Sequence, residues 1–358
     1  MQTPPRALID TSALRHNLAR VRELAPDSRV MAVIKANAYG HGLETVAAAL
    51  ADADGLAVAR VEEALALRAA GSRQRILLLE GVSRADQLVV AAREDFDVMV
   101  HSHEQLVMLE QRSQETKLRT WIKVDTGMNR LGVRVEEFAD ALARLVRTSG
   151  VSRDPTIVTH LASADEVADP KTQQQLDAFE AATAGVPGKR SVANSAGILA
   201  WPAARRDWVR PGLMLYGASP FPGGTGADIG LQPVMSFQSE VIAVKTVESG
   251  ETVGYGGAWC AARRTCMAVI AVGYGDGYPR SARAGTPLLI DGQRAPLIGR
   301  VSMDMITADV TGLPAVRVGA PVELWGGMLP VEEVAGWADR IPYELTCGVT
   351  QRAPRVFR

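Results

Sequence analysis

From residue 30 onward, short apolar runs alternate with amphipathic stretches, and this alternation constrains the fold more than any other feature of the chain. The runs are VMAVIK (30–35), GLAVA (55–59), ILLLE (76–80), DVMVH (97–101), TWIKVD (120–125), TIVTHL (156–161), RSVAN (190–194) and WVRPGLMLYG (208–217). Between them lie segments such as GLETVAAALADA, RVEEALALRAAG, SRADQLVVAARE and HEQLVMLEQR. Their apolar residues recur every three or four positions, the period of a helix with one buried face. An earlier helix, with Thr11 and Ser12 as caps and LRHNLARVREL as its body, can close a ring. Eight strands alternating with eight helices over about 200–250 residues predict a (β/α)8 barrel. An open doubly wound sheet has the same period and stays open as the alternative.

The texture changes near residue 228. PFPGGTGADIG reads as a glycine-rich linker, and beyond it MSFQSEVIAVKTV, CMAVIAVGYG, TPLLIDG and PVELWGG show little helical periodicity. The sequence therefore divides into an N-terminal TIM barrel over 1–228 and a mainly β domain over 229–358, with one helix near VEEVAGWADR. Partners are narrowed by charge. Lysine and arginine total 39 against 40 aspartates and glutamates, which leaves no electrostatic footprint for nucleic acid or an anionic membrane. No apolar run approaches the roughly 18 residues of a membrane span. Cys260, Cys266 and Cys347 form neither a CxxC pair nor a disulfide framework, and no metal is called for. With no basic-then-apolar leader pattern in MQTPPRALID, a cytoplasmic location is expected.

Chemistry in a (β/α)8 barrel sits at the C-terminal ends of the strands. Those ends carry Lys35, His101, Lys123 with Asp125, His160, Asn194 with Ser195, and Arg210. Taken singly, each has a bland reading: Lys35 as a snorkelling surface lysine, the histidines as rim residues, NSAG as a helix cap. Together they describe a rim that binds an anion and manages protons. Asn194-Ser195-Ala196-Gly197 ends the seventh strand and opens a helix, while Arg210-Pro211-Gly212 lies in the eighth. Barrels often hold phosphate at the loops after those two strands. A strand-end lysine able to form a Schiff base beside a phosphate cradle points to pyridoxal 5'-phosphate.

The motifs AVIKANAYGHG, KVDTGMNRLG, HLASAD, NSAGIL, VRPGLMLYG, VGYGG, VGYGDGYPR, GRVSMDM and PYELTCGV with RAPR occur in an order that resembles the alanine racemase family over nearly the whole chain. The resemblance implies interconversion of L- and D-alanine by a two-base mechanism, for peptidoglycan precursors or for alanine catabolism. It implies Lys35 as the cofactor-bearing lysine and first base. Tyr255, supplied by the partner chain of a head-to-tail homodimer, is the second base, with Arg280 beside it. Tyr39, Asn194, Ser195, Gly212, Leu213 and Tyr343 are expected around the cofactor phosphate. Arg210 is expected at the pyridine nitrogen, with His160 behind it. Arg130 would contact the cofactor and the substrate carboxylate, oriented by Lys123, a position that can carry a carbamate. Met303 would offer its backbone N–H to that carboxylate, and Tyr274, Asp165, Arg300 and Asp304 would line the entrance. An arginine keeps its proton, so Arg210 would leave the pyridine nitrogen unprotonated and weaken the ring as an electron sink.

Two other readings share the barrel. A decarboxylase of basic amino acids places an acid opposite the pyridine nitrogen, which Arg210 contradicts. A non-catalytic pyridoxal phosphate-binding protein is typically the barrel alone and has no need of the domain carrying Tyr255.

Overall fold

In the computed structural model, which describes residues 5–112 and 117–358, the eight expected runs form a closed parallel barrel. Its strands are Arg29–Val33, Gly55–Val58, Ile76–Leu78, Phe96–Val100, Thr120–Asp125, Thr156–Val158, Arg190–Ser191 and Trp208–Val209. Closure is direct, with Trp208 opposite Arg29 and Val209 opposite Val30. Strands such as Gly55–Val58 and Ile76–Leu78 are buried at every residue, because a barrel interior covers one face and the helices cover the other. The open-sheet alternative is thereby excluded.

The first helix, Thr11–Leu24, packs against the helices Leu43–Ala49 and Ser195–Ala200 and fills the last gap in the ring. Its cap differs from the expectation. The Asp10 carboxylate accepts from the backbone N–H groups of Ser12 and Ala13, so Thr11 and Ser12 lie inside the first turn. An ionised acceptor at a helix start also meets the positive end of the helix dipole, which a hydroxyl cannot match.

The end of the barrel where the strands begin is electrostatically closed. Asp97, fully buried, accepts from Arg75 Nε at 2.6 Å, Arg119 Nε at 2.7 Å and Trp121 Nε1 at 2.7 Å. A buried carboxylate satisfied by two guanidinium groups and an indole holds the barrel floor; removing it would leave Arg75 without its carboxylate, while Arg119 keeps its pair with Asp95 at 2.9 Å.

Beyond the barrel, the 13-residue strand Met235–Val247 organises the second domain. Its first half pairs with Pro321–Trp325 and its second with Thr265–Ile270, across an irregularity between Val241 and Ala243. Together with Pro287–Ile290, Gln293–Ile298 and Ile306–Asp309 these strands close into a ring. Arg6–Ile9, at the start of the chain, pairs with Met235–Gln238 and with Arg355–Phe357, and so belongs to this sheet. PFPGGTGADIG is not a loose tether: the N–H groups of Ser219 and Gly226 both donate to Glu332 at 2.8 Å. Glu332 lies on the helix Val331–Ala338, the one expected near VEEVAGWADR. A second helix, Pro342–Gly348, has no counterpart in the sequence reading and carries Tyr343 to the barrel mouth.

Candidate active site

The mouth of the barrel holds a cavity of about 650 Å³. Lys35, Lys123, Arg130 and Arg210 contribute four cationic side chains to its lining, against the single carboxylate of Glu80. The contrast with the paired floor is informative, because clustered cations without partners cost free energy unless an anionic ligand occupies the site.

Lys35 follows the first barrel strand and opens a turn of unusual hand. Ala36, Asn37, Ala38 and Tyr39 all have φ between 52° and 54°. Each L-residue in that region costs about 1–2 kcal/mol, so the turn persists only because its surroundings hold it. Gly40 ends it at φ 81°, packed so closely on the Thr346 carbonyl that a Cβ there would lie 2.0 Å from the oxygen. Arg355 Nε donates to the Gly40 carbonyl at 2.9 Å, and the Asn37 side chain accepts from the Leu43 N–H at 2.9 Å. The turn aims Lys35 into the cavity and lays Tyr39 between Tyr216, at 4.7 Å between ring centroids, and Tyr343, at 5.8 Å.

Across from Tyr39 lies the expected phosphate cradle. The Asn194 side chain caps the helix Ser195–Ala200 by accepting from the Gly197 N–H at 2.9 Å. The Ser195 hydroxyl accepts from the N–H of Gly212 at 3.0 Å and of Met214 at 3.3 Å, tying the two phosphate-side loops together. Gly212 is required by space: a Cβ would sit 2.5 Å from the Tyr39 hydroxyl. Burial pushes the Tyr343 hydroxyl up to about 12, with Asp165 adding to the shift, and raises Tyr39 further. Both phenols therefore stay protonated at neutral pH and present donors to an anion.

Arg210 lies at the end of the eighth strand, 4% exposed. It donates to the Ser191 hydroxyl at 2.5 Å and to the carbonyls of Thr159 at 2.7 Å and Val192 at 3.2 Å, and its Nη2 lies 3.4 Å from His160 Nδ1. Burial lowers it to about 10, still a cation at pH 7. His160 is held well below its ordinary value, first by burial and then by the Arg210 charge, so it is neutral. Behind it Gln175 donates to the His160 carbonyl at 3.0 Å and accepts from the Ala162 N–H at 2.8 Å.

Lys123, 8% exposed, is pushed down to about 8 by burial, then by Arg210 and Arg130, with Asp125 opposing. Asp125 itself shapes the next loop. One carboxylate oxygen accepts from the N–H groups of Gly127, Met128 and Asn129, which delivers Arg130 to the cavity. Gly132 allows this loop to close, since a Cβ there would lie 2.7 Å from the Asp125 nitrogen.

The remaining expected residues fall elsewhere in the chain. Asp165 lines an adjoining groove that shares Asn194 and Tyr343 with the cavity. Tyr255, Tyr274, Arg280, Arg300, Met303 and Asp304 belong to the second domain, are exposed, and do not line the barrel cavity. Tyr255 is 68% exposed, in the short turn Tyr255–Gly257 against which Arg300 packs. The Gly275 N–H donates to the Met303 carbonyl and the Tyr274 N–H to that of Ser302, so these segments form one presenting surface. Glu80, Cys347, Tyr216 and Gln175 escaped the sequence reading. Glu80 ends the run ILLLE, and that position is its only signal.

A closed barrel whose mouth gathers a lysine, a buried arginine and a serine–glycine–tyrosine cradle defines an enzyme that works on a small anionic molecule held against an amine. Comparison with known proteins identifies which one. The alanine racemase N-terminal domain matches residues 9–220 and the C-terminal domain residues 234–357. The alanine racemase of Nitrosococcus oceani is 53% identical over 354 residues, covering 99% of each chain. That of Halorhodospira halophila is 49% identical over 356 residues, 99% of this chain and 98% of the other. The crystal structure of biosynthetic alanine racemase from Pseudomonas aeruginosa superposes with a TM-score of 0.97 at 44% identity, with both chains fully covered. The alanine racemase from Bartonella henselae with covalently bound pyridoxal phosphate superposes at 0.90 with 29% identity, again over both whole chains. The chain belongs to the alanine racemase family, whose members are pyridoxal phosphate-dependent isomerases.

Proposed function

We propose that this racemase holds pyridoxal 5'-phosphate on Lys35 and works as a cytoplasmic homodimer, in which Tyr255 of a second copy completes each site. The meeting of Lys35, the buried Arg210 and the Ser195–Gly212–Tyr39 cradle at one cation-lined mouth carries this reading. The donors match the cofactor's parts. The hydroxyls of Tyr39, Ser195 and Tyr343, with backbone N–H groups near Gly212 and Leu213, suit a phosphate. A guanidinium fixed by three acceptors suits a ring nitrogen that is to stay unprotonated.

Bound there, pyridoxal phosphate supplies the electron-withdrawing ring that acidifies the α-hydrogen of alanine. The chain supplies two proton carriers and the means of orienting the substrate. Lys35 Nζ serves one face of the α-carbon. The opposite face needs a second carrier, and the Tyr255 hydroxyl is exposed on a surface separate from the chain's own cavity. In a head-to-tail twofold dimer each second domain covers the other mouth. Arg130 and the Met303 N–H then hold the substrate carboxylate, with Arg280 beside the tyrosine and Tyr274, Asp165, Arg300 and Asp304 at the entrance. Cys260 and Cys347 are free and exposed, as suits a reducing compartment.

Subunit exchange between Lys35→Ala and Tyr255→Ala tests the shared site. Each pure variant should be inactive. With random pairing about half of the dimers are mixed, each with one intact site, so about a quarter of wild-type activity should return. No recovery in mixed dimers proven by differential tags would rule the shared site out.

A further inference from the structure

We infer that Glu63 is a positioning residue for the cofactor-bearing segment, acting through the backbone N–H of Ala36. Glu63 lies in the first turn of the helix Val61–Ala69, after the second barrel strand. One carboxylate oxygen accepts from the Ala36 N–H at 2.6 Å. The other accepts from the N–H groups of Ala59 at 2.9 Å and Arg60 at 3.2 Å. One side chain thus bridges the loop after the second strand to the residue that follows Lys35. Ala36 and Ala59 both line the cavity, so the bridge runs along its wall.

The bridge matters because of where it attaches. Ala36 is the first of the four left-handed residues, and their hand sets the directions of Lys35 and Tyr39 together. The C-terminal end of the turn is held by Thr346, Arg355 and Asn37, as described above. At its beginning, the Glu63 carboxylate is the side-chain acceptor for Ala36. An ionised acceptor forms a short, strong hydrogen bond to a backbone donor, and small displacements of a reacting amine are costly in rate.

A second role must be separated from this one. Glu63 also caps its own helix through Arg60, and a purely structural residue would do that alone. Glu63→Gln distinguishes the two. With its carbonyl kept toward Ala59 and Arg60, the amide preserves the cap and turns an NH2 group toward the Ala36 N–H, donor against donor. Glu63→Asp supplies a second variant, still charged but too short to span both loops. Glu62→Gln, on an exposed neighbour, is the control.

The inference rests on Lys35 as the cofactor-bearing residue, so the first measurement is made without cofactor. Hydrogen–deuterium exchange of the purified protein, stripped of pyridoxal phosphate, should accelerate about tenfold or more over residues 35–42 in Glu63→Gln, while residues 61–69 stay unchanged. In the reloaded enzyme, pyridoxal phosphate should dissociate about tenfold more readily and kcat should fall about tenfold to a hundredfold, with the KM for alanine within about twofold. Faster exchange confined to 61–69, or cofactor affinity and kcat within twofold of wild type in both variants, would overturn the inference. If exchange over 35–42 rises but borohydride reduction labels another lysine, the bridge stands and the assignment of Lys35 fails.

Discussion

Replacing Lys123 with methionine is expected to raise the stability of the cofactor-free protein at pH 7. The side chain is 8% exposed and lies among Arg210, Arg130 and Lys35. Its drop from 10.5 to about 8 means that folding disfavours the ammonium form. At about 1.4 kcal/mol per pH unit, a protonated Lys123 costs the folded state about 3 kcal/mol. The cost is present in full below about pH 8, where the group is charged folded and unfolded alike. It disappears as pH rises from 8 towards 10.5, where the folded amine is neutral and the unfolded one still holds its proton. Methionine has similar length and no charge, so it keeps the packing and removes the cost. For a chain of 358 residues the unfolding entropy is roughly 0.75 kcal/mol/K, so Lys123→Met should raise Tm by about 4 °C at pH 7. By pH 10 the difference between the two proteins should shrink to about 1 °C. Scanning calorimetry in buffer free of carbon dioxide checks this, since a carbamate on Lys123 would replace the cation with an anion and stabilise wild type by another route. A methionine variant no more stable than wild type at pH 7, or a gain that persists undiminished at pH 10, would show that burial of the Lys123 charge carries no such cost.

Gly212→Ala should place a methyl group 2.5 Å from the Tyr39 hydroxyl, whose ring is pinned between Tyr216 and Tyr343. A stability loss of about 1–3 kcal/mol and weaker pyridoxal phosphate retention are expected, by calorimetry and by equilibrium dialysis. Arg210→Glu should slow racemisation and raise the fraction of turnovers ending in transamination, read as pyruvate formed from alanine; an unchanged fraction would leave Arg210 a structural role only.

Much of the site was legible because barrel chemistry gathers at strand ends, and strand ends are visible as breaks in apolar runs. Lys35, Lys123, His160, Asn194, Ser195 and Arg210 were found that way, and the structure gathers them around one cavity. Gly212, placed there by its strand, joins them, as do Tyr39, Arg130, Leu213 and Tyr343, to which only their motifs point. The left-handed turn Ala36–Tyr39 leaves only Asn37 as a local trace, because neither alanine nor tyrosine favours positive φ. Tertiary contacts impose it, and the residues that impose it lie far along the chain, at Glu63, Thr346 and Arg355.

The order of strands and helices, the change of texture between the two domains and the polar residues at each strand end can be read from the chain without its fold. These depend on periodicity and turn chemistry, which act within about a dozen residues. Only long-range packing closes the sheet, pairs Arg6–Ile9 with strands of the second domain, and buries the cation of Lys123 beside two arginines. Closure and strand pairing are settled by which edges meet, and a pKa by which charges gather around a group. Neither is encoded in any short window of residues, because both arise from contacts between segments distant in the chain.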